Sequence, residues 1–168
     1  YKANDGTSDS KTAATVTITV NAVNDEPSFT KGANQTVNED SGAQTVSGWA
    51  TSISPGPANE SAQTLTFNVS NDNNSLFSVQ PDVDEATGDL TYTPAADAYG
   101  VATVSVYLTD DGGTANGGDD TSPTQTFTIT VNSVNDPPVA SFSADTTSGV
   151  GPLTVKFTDT STDVDNAI

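Results

Sequence analysis

Asparagine, aspartate and glutamate recur in this chain at positions that could gather oxygen atoms around a cation. Asn24-Asp25 and Asn135-Asp136 occupy the same place in two copies of one segment. VTITVNAVNDEP at 16–27 returns as FTITVNSVNDPP at 127–138, a period of 111 residues. Glu39, Glu60, Asp97, Asp110, Asp111, Asp163 and Asp165 fall in stretches that read as turns. Calcium takes six to eight oxygen ligands in flexible geometry, with carboxylates supplying charge and carbonyls completing the shell. Magnesium suits such a set less well, because it keeps its waters and demands an octahedron. Zinc lacks its preferred ligands, since the chain has neither histidine nor cysteine. A carboxylate pair could in principle run acid–base hydrolysis. No His, Cys or Arg is present to orient, activate or clamp a substrate, so catalysis is not expected. Gly112-Gly113 and Gly117-Gly118 open no helix and do not read as phosphate cradles.

The elements that must position these side chains are strands. Val16, Ile18 and Val20 alternate with threonine, and no stretch keeps a helical period. A period of 111 residues matches one β-sandwich domain. Residues 1–22 read as the last hairpin of a preceding domain, 23–27 as a linker, and 28–132 as one complete sandwich. A second linker covers 133–138, and 139–168 open a different domain. Seven strands are expected in the complete domain: A near 34–38, B near 44–53, C over 63–70, D near 76–80, E near 89–93, F over 101–109 and G over 124–132. Leu65, Phe67 and Val69, then Val104, Val106 and Leu108, then Phe127, Ile129 and Val131 are the expected inward faces. Trp49, Phe67, Val106 and Ile129 should share one core, with no α-helix, while the incomplete ends pack poorly.

Composition narrows the partners. With 22 acidic residues against 4 lysines and no arginine, the formal charge is −18. Nucleic acid and anionic membrane surfaces are disfavoured, because both need a basic footprint. No apolar run approaches a membrane span, so direct insertion is not expected. Charge of this size also strains a compact domain unless cations neutralise it.

On an up-and-down path through seven strands, loops alternate between the poles. Glu60, Asp110 and Asp111 therefore converge on the first linker with Asn24 and Asp25. Glu39 and Asp97 converge on the second with Asn135 and Asp136, faced by the acidic turn Asp163 and Asp165. Asp72, Asp82, Asp84, Glu85, Asp119 and Asp120 read as solvated loop charges. Glu26 is a weaker ligand candidate, since Pro137 stands at its place in the second copy.

VNED (37–40), SGWATSISPGPANESAQTLTF (47–67), TGDLTYTPAADAYG (87–100), LTDDGG (108–113) and the two VND-x-P linkers resemble the cadherin-like tandem repeats of large bacterial surface adhesins. Residues 137–168 look like the first third of a PKD-type (polycystic kidney disease) domain. The resemblance implies a cadherin/immunoglobulin-like Greek-key sandwich with calcium held between successive domains. It also implies an extracellular location and a structural role, extending an adhesin whose distal ligand is a cell-surface or carbohydrate group. The immediate partners are then neighbouring repeats of the same chain. The alternative is a carbohydrate-binding or spacer module of a secreted polysaccharide-degrading enzyme. Trp49 and Tyr107 are the aromatic residues that could decide it, and Trp49 reads as core.

Overall fold

A computed structural model describes residues 2–165. Residue 1 of the expected hairpin and residues 166–168 of the expected tail domain lie outside the described residues. The chain is all-β. Its strands are β1 (Ser28–Thr30), β2 (Gln35–Asn38), β3 (Gln44–Val46), β4 (Thr51–Ser54), β5 (Thr66–Asn71), β6 (Phe77–Val83), β7 (Leu90–Pro94), β8 (Gly100–Thr109), β9 (Gln125–Asn132), β10 (Phe142–Ala144) and β11 (Phe157–Asp159). The helical segments among the described residues are single 3₁₀ turns.

One sheet runs β2-β9-β8-β5 and another β3-β7-β6, while β1 pairs with β4 and β10 with β11. Alternation dictates burial: in β8, Ala102, Val104, Val106 and Leu108 are inaccessible to solvent, and β9 buries Phe127, Ile129 and Val131 beside them. Leu90, Tyr92 and Val83 of the three-stranded sheet join the same apolar cluster, making the arrangement sandwich-like. Trp49, Phe67, Val106 and Ile129 all belong to this one core. The Trp49 ring lies 4.4 Å from that of Phe127, and Phe29 meets Phe67 edge-on at 5.0 Å.

Two features depart from a simple antiparallel up-and-down path. The expected strand A is β2, which pairs parallel with β9, and an additional strand not expected from the sequence, β1, precedes it and pairs antiparallel with β4. The crossing between them passes over the Trp49 indole, which donates from Nε1 to the Ala33 carbonyl at 2.9 Å. A Cβ on Gly32 would overlap that indole, so only glycine lets the backbone approach so closely. The expected strand B is broken into β3 and β4. Gly48, at φ +61°, turns the chain there, and its N–H is fixed by Asp89 Oδ1 at 2.7 Å.

The flanking segments differ from this body. Over residues 2–22, Asn4 and Asp9 form a β-bridge, and Val16, Ile18 and Val20 are 79–88 % exposed. In the tail, β10 and β11 form a short hairpin on which Phe142 and Phe157 touch edge-on at 5.5 Å yet remain mostly exposed. No helix among the described residues is long and apolar enough to cross a membrane.

Candidate metal centre

At the first linker, Glu60 sits in a 3₁₀ turn (Ala58–Glu60) and is only 6 % exposed. Its Oε1 accepts from the Asp25 backbone N–H at 3.2 Å, while Oε2 is buried without a partner. Gly56, at φ +141°, makes room for this carboxylate, because a Cβ there would collide with it. Asp110, at the exit of β8, accepts from the Asn24 side-chain amide and the Gly112 N–H, both at 2.9 Å, and its Oδ2 is buried and unpartnered. Gln63 donates its amide to Asn24 Oδ1 and leaves its own Oε1 buried and unpartnered. A cleft of about 230 Å³ lies against Asn24, Asn59, Glu60 and Gln63.

Asn24, Glu60 and Asp110 are thus brought together at this linker, whereas Asp25 takes part through its backbone and keeps an exposed side chain. Asp111 turns the other way. Its Oδ1 accepts from the Thr64 N–H at 2.8 Å, and that bond holds its carboxyl below the usual aspartate range.

The second linker collects more charge. Glu39, in the turn after β2, is 3 % exposed; Oε1 accepts from the Val134 N–H at 2.7 Å and Oε2 is buried without a partner. Asp136 also has a buried, unpartnered Oδ2, and its backbone N–H donates to Asp165 Oδ2. Carboxylate oxygens of Glu39, Asp136 and Asp165 lie within 4.8 Å of one another, as do those of Asp40, Asp97 and Asp136. Asp40 and Asp97 both adopt left-handed backbone conformations, at φ +58° and +56°, which aspartate tolerates better than most residues. Burial, and then the nearby carboxylates of Asp40, Asp165, Asp97 and Glu39, raise the Asp136 carboxyl above its ordinary value.

Asp163 is not among these clustered carboxylates. The Asn135 amide donates to the Asp136 carbonyl at 2.9 Å, and Asp163 Oδ1 closes its own turn by accepting from the Asp165 N–H at 3.0 Å. Asp40 was legible in principle, being next to Glu39 in the same turn. Gln63 carried no signal, because an uncharged amide in a polar loop looks like any other.

The remaining acids mostly serve backbone amides. Asp72 accepts from Thr103 N–H at 2.7 Å, Asp84 from Thr87 N–H at 2.7 Å, and Glu85 from Phe67 N–H at 3.3 Å. The first two carboxyls are held below their ordinary value by those bonds. Trp49, 3 % exposed, offers no face for sugar stacking.

Every donor atom at the two linkers is oxygen, with orphaned buried carboxylate oxygens at both, and that set fits a hard divalent cation of the calcium class. No protein-family model matches the chain, and no curated protein matches it either.

Proposed function

We propose that residues 28–132 are one repeat of a tandem β-sandwich array in an extracellular, cell-surface adhesin, and that the flanking linkers are calcium-bridged joints. The repeat is taken as a cadherin-like Greek-key sandwich, preceded by the last hairpin of another such repeat and followed by a PKD-like domain. Its work is mechanical: it holds a distal binding domain away from the cell, with neighbouring repeats as its partners.

One observation carries this reading. Each linker presents a backbone N–H to a buried glutamate, Asp25 to Glu60 and Val134 to Glu39, and each glutamate keeps its second oxygen buried and unpartnered. An orphaned buried carboxylate oxygen is costly, and a cation is the ligand that relieves it. At the second joint Glu39, Asp40, Asp97, Asp136 and Asp165 would hold the ion; at the first, Glu60, Asp110 and the Gln63 side-chain carbonyl. Bound calcium supplies the positive charge that lets these carboxylates share one small volume. Asp165 lies beyond the linker from Glu39, so a shared shell joins two domains and removes the freedom of the segment between them. Ionised and unbridged, the same side chains repel and the joint hinges.

Titration calorimetry and small-angle scattering on the chain, with calcium and with chelator, test the proposal. Calcium should release or absorb heat on binding, lengthen and stiffen the particle, and raise Tm with concentration by mass action. Asp136→Ala should weaken the second joint while the near-ultraviolet signal of buried Trp49 stays native. Absence of both binding heat and any change in dimensions would leave the linkers as plain spacers.

A further inference from the structure

The side chain of Asn24 is fully engaged by the body that follows it. Its amide donates to Asp110 Oδ1 at 2.9 Å and to the Asp119 carbonyl at 2.7 Å, and its Oδ1 accepts from the Gln63 amide. Its backbone carbonyl accepts from the Asp119 N–H at 3.1 Å. Asn24 and Asp119 are therefore clasped by two reciprocal hydrogen bonds across 95 residues of sequence. Two glycines shape the space around it. A Cβ on Gly112 would collide with Asn24 Oδ1, and one on Gly118 would press on the Asn24 Cβ at 3.1 Å.

The excursion between β8 and β9 that supplies these groups is itself tied down. Asp110 N–H donates to the Asp120 carbonyl at 3.1 Å, Thr109 bridges Thr121, and Leu108 N–H donates to the hydroxyl of buried Ser122 at 2.9 Å. The loop is thus an extension of the sheet rather than a loose flap.

We propose that this excursion, residues 110–124, is a cation-independent socket that fixes the first linker on the sandwich, with Asn24 as its positioning residue. The chemistry of the socket selects an amide. Asp110 and the Asp119 carbonyl each need an N–H, while the Gln63 amide needs an acceptor, and asparagine offers both on one short side chain. A carboxylate at this place would face Asp110 as a like charge and lose both donated bonds. The direction in which the preceding segment leaves the body is then set by protein hydrogen bonds, whether or not the joint binds an ion. This goes beyond the calcium-bridge reading and does not depend on it.

The experiment is run in chelator, which separates this inference from the calcium-bridge proposal. Backbone ¹⁵N relaxation should give residues 23–26 of the wild type order parameters near those of the strands, about 0.85. Asn24→Ala and Asn24→Asp should lower them to about 0.6 or less and speed exchange of the Asp119 amide about tenfold, with the Trp49 signal unchanged. Gly118→Val, which leaves the Asn24 side chain chemically unchanged but presses on it from within the socket, should loosen the linker in the same way. The double variant N24D/D110N exchanges carboxylate and amide across the pair and should recover part of the order, which a mere loss of packing would not allow. A wild-type linker that is mobile in chelator and ordered only by added calcium would overturn the proposal. So would Asp119 protection that survives Asn24→Ala, or a double variant no better ordered than Asn24→Asp.

Discussion

The two linkers share Val-Asn-Asp and a proline close behind, yet they are held by different chemistry. Around the first, amides from Asn24 and Gln63 are interleaved with the carboxylates of Glu60 and Asp110, and donors meet acceptors. Around the second, five carboxylates gather, and the one linker amide side chain, Asn135, turns back on its own backbone. The difference teaches that a short linker motif does not define a joint. The partner loops decide whether the joint is closed by hydrogen bonds or left as concentrated negative charge. It also explains why Asp136 is the aspartate whose carboxyl is pushed up by its surroundings, while Asp111, Asp72 and Asp84 are pushed down by backbone donors.

The largest effect should come from removing what both joints hang on. Trp49→Ala deletes the ring packed on Phe127 and should cost about 3–5 kcal/mol of stability in denaturant unfolding. It should loosen the two linkers together, because each is pinned to loops of the same body. A variant that loosened one joint alone would mean that the joints are supported separately.

A smaller effect should separate the joints. Glu39→Gln should weaken calcium binding about tenfold or more, the loss expected even of a residue one step removed from a metal. In chelator the same change should leave the fold as stable as wild type or more so, since it removes one of the crowded charges. Glu60→Gln should be milder in its effect on linker order, because the Asn24 socket remains. Calorimetry and linker relaxation on the two variants, side by side, check the contrast; equal losses of order would erase it.

The smallest effect concerns pH. A carboxyl whose folded pKa is raised binds its proton more tightly in the folded state than in the unfolded one. The folded second joint is then favoured at low pH, and that contribution fades as pH rises from the ordinary value of 3.8 through the raised folded value. Carboxyl-detected NMR in chelator should place the Asp136 midpoint above that of an exposed aspartate, and added calcium should lower it. A midpoint at or below the ordinary value would mean that the crowding around Asp136 is relieved in some other way.

Much of the body was legible because strand burial is a local matter. The alternation of Val104, Val106 and Leu108 fixed which face of β8 is apolar, whichever strand lay beside it. The extra strand β1 ahead of the expected first strand was not legible, since the crossing from β1 to β2 depends on the Trp49 ring lying under Gly32, a contact between segments far apart in sequence. At the linkers, alternation of loops between the poles placed Glu39 and Asp97 with Asp136, and Glu60 and Asp110 with Asn24. It could not separate Asp110 from Asp111, neighbours of identical type. One faces the linker and the other caps the Thr64 amide.

The sequence by itself determined an acidic all-β chain with a repeated Val-Asn-Asp segment and acidic side chains whose ligand atoms are oxygen, because composition and period-two patterning are properties of the chain alone. The tertiary structure decided which of those oxygens are left without a partner. A carboxylate in a loop is claimed by whichever remote backbone N–H remains unpaired when the sheets close. Glu39 and Glu60 each give one oxygen to a linker amide and keep one orphaned, Asp72 spends an oxygen on the Thr103 amide of β8 and Asp84 one on its own turn, and Asn24 is locked between Asp110 and Asp119. That allocation depends on distances across the whole fold, so no local pattern could carry it.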